Sequence, residues 1–583
     1  MELSYRKETD DSIFNSVDIM GLTTPQNYIP IYTTYFALNE NNYNKITLNQ
    51  KRVLERIVSQ KSNNIYVCFV DGVQQEVYFK ESPLLDPIKY MTGKYDIENE
   101  SLFTLPSFTG VCESKIADPN NASYVDGFFA YLSSQLLHEH QFIHGLDFYG
   151  SFLGIKQDYY INISDDVDIL EDSAFFQKNN GSLFYFEGFI EGGTGTRNNR
   201  SPLLISTTPS CIDDIVEISA TEASDHLSDG NIQTIYSSDS QSKGDSQTEG
   251  DSQTEGDSQT EGDSQTEGDS QTEGDSQSEG DSQSEGDSQS EGDSQSEGDS
   301  QSEGDSQSEG DSQAGENSQS HSESDSSTMN SEIAFVKIPK YPIQSIALEN
   351  CDDTLDHLLL QNDVEDEELG SLVIQIIMIL ITYQKAFDFT HNDLHTSNIM
   401  YNHTDKQNIC YKYNDRYYKV PTFGRIYKII DFGRAIYTFK GSRICSDSYH
   451  FQGDAATQYN CQPYYNEFKP TIEPNPSFDL CRLGCALFDL LVDNIKKIDE
   501  ESEIVQLIVK WCLDDKGRNI LYKKNGDERY PDFKLYKMIA RTVHQCIPRE
   551  VIKDEYFEQY LVSKKKIKNQ KYINIDVIPD YTK

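Results

Sequence analysis

"FTHNDLHTSNIMY" (Phe389–Tyr401) is the stretch whose reading decides the fold. It follows a long apolar run, "LVIQIIMILI" (Leu372–Ile381), and sets His391, Asp393 and Asn398 close together in the chain. A carboxylate shortly before an amide suits a loop in which one group orients a substrate hydroxyl and the other reaches a cation. The same letters fit a polar turn between two buried segments. The rest of the chain has to supply the other parts of a site.

Three further segments do so, in order. "IYVCFVDGVQQEVYFK" (Ile65–Lys80) reads as a β-hairpin, because two β-rich runs flank Asp71–Gly72, a type I′ turn signal. It ends on Lys80, a cation inside a predicted strand. "RIYKIIDFGRAI" (Arg425–Ile436) reads as a strand followed by a turn carrying Asp431. "FDLCRLGCALFDLLV" (Phe478–Val492) reads as an apolar helix. Phosphoryl transfer from ATP needs few groups: a cation for the phosphates, oxygens for magnesium, and a carboxylate for the attacking hydroxyl.

On these residues the chain resembles the protein kinase superfamily. "HNDLHTSN" resembles the catalytic loop H-R-D-L-x-x-x-N, with Asp393 in the place of the base and Asn398 in that of a magnesium ligand. "DFG" at Asp431–Gly433 implies a second magnesium contact from Asp431. "VYFK" (Val77–Lys80) matches V-A-I-K, which implies a phosphate-binding role for Lys80. "FDLCRLG" resembles the D-x-W-S-x-G helix start, at Asp479 and Gly484. "ALENCDDTLDHLL" resembles the hinge between lobes. More narrowly, "SPLLDPIKYMTGKY" (Ser82–Tyr95), "FIHGLDFYGSFLGIK" and "YKIIDFGRA" resemble segments of serine/threonine-protein kinases of giant DNA viruses, mimivirus-like. The resemblance implies a bilobal α+β kinase fold and a Ser/Thr protein kinase using ATP and Mg2+ on a protein substrate. It also implies a location in the host-cell cytoplasm or the virion. A pseudokinase scaffold and a small-molecule kinase are the alternatives.

The departures are specific. No G-x-G-x-x-G precedes Val77. Asn392 replaces the arginine of H-R-D, and His395 stands where a lysine is usual. That substitution predicts a pH dependence near the histidine titration range. The helix predicted over Tyr124–His140 has no central glutamate, so either Asp126 or Glu139 pairs with Lys80, or no acid does. Asp393 and Asp431 are widely spaced, and a second hairpin, Asn408–Thr422, turning at Asn414–Asp415, accounts for the excess. No clear A-P-E is present; "NEF" (Asn466–Phe468) is a poor substitute.

Composition bounds the remainder. From Gly244, GDSQTE repeats five times, and from Gly274 GDSQSE repeats six times, ending at Glu309. The block has no apolar side chain and cannot offset the entropy of ordering, so a disordered insert is expected. Expected divisions are 1–60 (extension), 61–156 (smaller lobe), 157–331 (insertion in that lobe), 332–562 (end of the smaller lobe, hinge and larger lobe) and 563–583 (tail). The net charge of −48 argues against general nucleic-acid or membrane partners, which are anionic. The Leu372–Ile381 run is shorter than the roughly 20 apolar residues of a membrane span and reads as part of a buried helix, Glu365–Phe387. The 11 cysteines form no C-x-x-C pair, and Cys481 with Cys485 alone does not make a zinc site, which suits a reducing, cytosol-like compartment. The histidines of "HEHQFIH" (His138–His144) read as satisfied groups at a helix end, not metal ligands.

Overall fold

The computed structural model describes residues 1–7, 13–164, 166–191, 332–361, 364–492, 494–568 and 570–583. The GDSQ repeats, and the expected insert from 192 to 331, lie outside the described residues; the part expected to belong to it from 157 to 191 is described, except for 165. The architecture is mixed α+β and rests on one curled antiparallel sheet. Its strands are β1 (Leu22–Gln26), β2 (Leu54–Ser62), β3 (Ile65–Val70), β4 (Val73–Pro83), β5 (Phe148–Asn162), β6 (Tyr185–Glu191) and β7 (Glu332–Glu349). Their order is β1-β5-β7-β4-β3-β2, with β6 also on β7.

The β3–β4 hairpin forms where the turn signal places it. Asp71 (φ 51°) and Gly72 (φ 74°) both take the left-handed conformation that a type I′ turn requires. Alternation then buries Tyr66, Cys68 and Val70 on β3 and Val77 and Phe79 on β4. Lys80, next in the alternation after Phe79, is only partly buried.

Strand β5 continues past Lys156, where the sequence pattern loosens, and pairs with β7 as far as Asn162↔Phe335. Two short helices and β6 follow, so regular structure reaches Glu191. Glu191 pairs with Glu332, which sets two residues far apart in the chain side by side on one ladder. The residues set apart as an N-terminal extension supply β1 and most of β2.

Helix α1 (Ala122–His140) is capped by Asn121, whose side chain accepts from the Ser123 N–H. The sequence pattern suggests one apolar face; the helix is instead buried on all sides from Ser123 to Leu136. Helix α2 (Asp366–Phe387) is long and apolar enough to cross a membrane, but 89% of its apolar window is buried inside the protein, as a core helix requires. Beyond it lie β8 (Ile399–His403), the hairpin β9 (Asn408–Tyr413) and β10 (Arg416–Pro421), β11 (Arg425–Ile429), α3 (Phe478–Leu491) and α4 (Phe533–Thr542). The second hairpin turns at Asn414 (φ 53°) and Asp415 (φ 58°), another type I′ signature.

The C-terminal residues are packed. Ile573–Asn574 pairs with β9, the Tyr581 N–H donates to Ala386 O at 2.8 Å, and the Tyr581 ring stacks on Phe387 at 5.8 Å.

The end of β7 is fixed to strands β8 and β11 by Glu349. Its Oε1 accepts from Lys428 Nζ (2.6 Å) and from the Asp147 N–H (2.7 Å), and its Oε2 from Asn402 Nδ2 (2.9 Å). Lys428 is only 4% exposed, so this pair is screened little by solvent. It sets the register between the sheet and the β8–β11 ladder, on which the site depends.

Candidate active site

Strand β4, helix α1 and the turn after β11 converge on Lys80. Its Nζ lies 2.5 Å from Asp126 Oδ2 and 2.8 Å from Asp431 Oδ1. Asp126 is therefore the acid that pairs with Lys80, and Glu139 instead faces the N-terminal amine at 3.4 Å. Asp126 also holds the neighbouring turn, since its Oδ1 accepts the Phe432 N–H at 2.8 Å. One carboxylate on α1 thus fixes both the strand lysine and the backbone beside Asp431.

Burial opposes charge on Lys80, but the two carboxylates outweigh it and raise its pKa. Burial also raises Asp126, against the pull of Lys80. On Asp431 burial acts the same way, yet the Lys80 charge wins and brings its pKa down to about 2. The Asp431 side chain remains 47% exposed, open to a ligand. Phe432 is fully buried against Phe129, Phe389 and His391, and this packing anchors the turn.

The loop from His391 is built from beneath. The carboxylate of Asp479, at the start of α3, accepts the His391 N–H (2.9 and 3.1 Å) and the Asn392 N–H (2.9 Å). Asn392 sits at φ 65°, a left-handed position that asparagine tolerates better than a bulkier residue. Its side chain donates to Arg434 O (3.1 Å) and accepts from Tyr459 OH (2.7 Å). His391 Nε2 meets Ile430 O at 2.9 Å, and the Ile430 N–H donates to Asn398 O at 3.0 Å. The loop and the Asp431 turn are therefore tied at two points. Asn398 Nδ2 donates to Asp393 O (2.9 Å) and contacts His395 Nε2 (3.1 Å), which leaves Oδ1 as the oxygen offered to a ligand.

Asp393 is held by groups that sequence reasoning does not find. Tyr536 OH donates to its Oδ1 at 2.8 Å, and Arg434 Nε lies 3.7 Å from its Oδ2. Arg434 in turn is paired with Asp454. Burial raises the Asp393 pKa, but Arg434, His395, Arg482 and the Tyr536 hydrogen bond together bring it below the ordinary value. Arg434 directly follows "DFG" and is legible in the sequence as a cation. Tyr536 lies far along the chain, in a segment with helical pattern only.

His395 departs from its sequence expectation. Burial lowers its pKa to about 4, so the ring is neutral near pH 7. A neutral imidazole accepts from the Asn398 amide and adds no positive charge for a phosphate. Lys115 is tied to Asp447. Strands β2 and β3 are joined by a two-residue turn: Ser62 pairs with Ile65, leaving Asn63–Asn64 between them. Asn64 O accepts the Phe79 N–H at 2.7 Å, which sets this turn beside the Lys80 end of β4.

The other sequence candidates are structural. His138 faces Asp147 (2.7 Å), His140 faces Tyr581 OH (2.6 Å), and His144 is buried between Tyr427 O and Tyr411 OH (2.7 and 2.6 Å). Cys481 and Cys485 are joined by the buried thiols of Cys512 and Cys546, but among the described residues no group of three or more ligands could hold a metal ion. A cavity of about 800 Å³ borders the loop through Tyr459. A second, of about 490 Å³, lies between the N-terminal residues and β5, lined by Asn27, Gln50 and Phe152. No protein-family model and no curated protein matches the chain.

Proposed function

We propose that the protein is an ATP-dependent serine/threonine protein kinase, with a bilobal kinase-like fold around the site described above. The observation that carries this reading is the Lys80–Asp126–Asp431 cluster, tied through Ile430 and His391 to the loop that bears Asp393 and Asn398. Four separated segments of chain meet there, and they bring together one cation, one exposed carboxylate and a loop that carries a further carboxylate and an amide oxygen. A polar turn has no need of that convergence.

Lys80 would bind the phosphates of ATP. Asp431 and the free Oδ1 of Asn398 fit magnesium, a hard cation that takes carboxylate and amide oxygens. When bound, magnesium would neutralise charge developing on the transferred phosphoryl group. Asp393 would orient the acceptor hydroxyl of a protein substrate and take its proton; its lowered pKa keeps it ionised for that role. Asp126 positions Lys80 and the Asp431 turn together. The absence of a glycine loop favours a second reading, a pseudokinase scaffold that binds nucleotide without transfer.

The test is turnover of magnesium–ATP by purified protein, wild type against Asp393→Asn. The kinase reading requires wild-type turnover and a loss of about a hundredfold or more in the variant, the range for removing a general base. Equal turnover in the two proteins would remove Asp393 from the mechanism; nucleotide binding without wild-type turnover would replace the kinase reading with the scaffold reading.

A further inference from the structure

Helix α4 reaches into the site through one side chain. Tyr536 is 1% exposed, its ring stacked on Phe533 (5.9 Å, 13°) and set against Phe478 (5.9 Å). Its hydroxyl stands between two charged groups: Arg482 Nε donates to it at 2.9 Å, and it donates to Asp393 Oδ1 at 2.8 Å. Arg482 belongs to α3, is 3% exposed, and lies three residues after Asp479, which supports the same loop. Donor and acceptor order is fixed by chemistry, since a guanidinium can only donate and an ionised carboxylate can only accept. The hydroxyl also stays protonated, because burial raises its pKa further above the ordinary tyrosine range. On the other side of Asp393, the Arg434 contact to Oδ2 is 3.7 Å, too long for a hydrogen bond.

We propose that Tyr536, held by Arg482, is a positioning residue that fixes one oxygen of Asp393 and leaves the other to accept the substrate hydroxyl. The proposal rests on the phosphotransferase reading of Asp393. The two oxygens of the carboxylate then have different duties. Oδ1 is locked by a charge-assisted bond, which is shorter and stronger than a neutral one. Oδ2 faces Arg434 without a direct bond and is the one available to an incoming hydroxyl. The groups charged or titratable around Asp393 are Arg434 with its partner Asp454, His395 and His391 on the loop, Asp479 and Arg482 on α3, and Tyr536 on α4. Of these, the Tyr536 hydroxyl is the one that can be removed without changing a charge or a buried volume of more than one oxygen.

Two measurements on the full chain decide it. In steady-state turnover of magnesium–ATP, Tyr536→Phe should lower kcat about tenfold and leave KM for ATP within about twofold, the split expected when positioning and not binding is lost. Arg482→Lys should lower kcat in the same direction, with Tyr536 still present. A Tyr536→Phe rate equal to or above wild type, or a loss carried by KM with kcat unchanged, overturns the inference; absence of turnover in the wild type overturns the kinase reading instead. The coupling is also read without turnover, by thermal melting of the two single variants and the double variant of Tyr536→Phe and Asp393→Ala. The Phe substitution should lower Tm less in the Asp393→Ala background than in wild type. Additive shifts would show that Tyr536 and Asp393 do not act on each other.

Discussion

Asp126→Asn removes one charge from the core of the site and little else. The amide can keep its carbonyl oxygen toward the Phe432 N–H, so the bond now made by Oδ1 survives. What disappears is the 2.5 Å ion pair with Lys80. Removing one partner of a fully buried pair costs about 3–5 kcal/mol, because the other charge is left uncompensated. Two features lower that figure here. The Lys80 side chain is 25% exposed, and Asp431 remains 2.8 Å from it. A loss of about 2 kcal/mol follows, roughly thirtyfold in an equilibrium constant.

The loss has a functional side. With Asp126 neutral, Asp431 is the one carboxylate left on Lys80 within this cluster, and the two groups hold each other more tightly. Both are assigned to the nucleotide and its metal, so affinity for magnesium–ATP should fall together with stability. The assay is urea denaturation of wild type and variant, with nucleotide affinity measured on the same preparations. An unchanged unfolding midpoint together with unchanged affinity would refute the reasoning, since it would mean that the pair neither stabilises the fold nor presents the lysine.

Asp431→Ala should abolish the magnesium dependence of nucleotide affinity, measured by titrating magnesium at fixed nucleotide. Asp431 has a folded pKa of about 2 against 3.8, so its pairing stabilises the fold above pH 3.8 and that stabilisation is lost as pH falls toward 2; the acid limb of a melting curve reads this. His395, lowered from 6.5 to about 4, should give no inflection in the pH–rate profile between pH 6 and 8, so wild type and His395→Lys should have profiles of one shape there. A step near pH 6.5 in wild type alone would return the histidine to the mechanism. For stability the sign is the same as for Asp431, in a higher window: the unfolded chain holds the His395 proton more tightly, so stability is lost as pH falls from 6.5 to about 4. Deleting Gly244–Glu309 should leave the melting temperature near that of wild type, because closure entropy grows by only about 0.6 kcal/mol per doubling of loop length; a large drop would show that the block packs. Each repeat carries S-x-x-E, beginning at Ser246–Glu249, and mass spectrometry of protein from its native host should find phosphate on those serines.

Much of the local structure is written in the sequence, since turns and helix starts depend on a few neighbouring residues. Asp71–Gly72 and Asn414–Asp415 mark their hairpins because few residue types accept two left-handed positions in succession. The apolar run before Phe387 fixes a core helix, and the spacing of His391, Asp393 and Asn398 fixes a loop that ends on a strand. The order of Lys80, Asp393, Asn398 and Asp431 along the chain is legible too. Their meeting is not, because it depends on contacts between residues far apart in the chain. Only the tertiary structure decides that Asp126, and not Glu139, reaches Lys80: both lie on α1, and the choice depends on which turn of the helix faces β4. Burial lowers the His395 pKa, and no local pattern carries the depth of a side chain. Tyr536 is 143 residues from Asp393. Nothing near either residue announces the other, and they touch because α3 and α4 pack together beneath the loop.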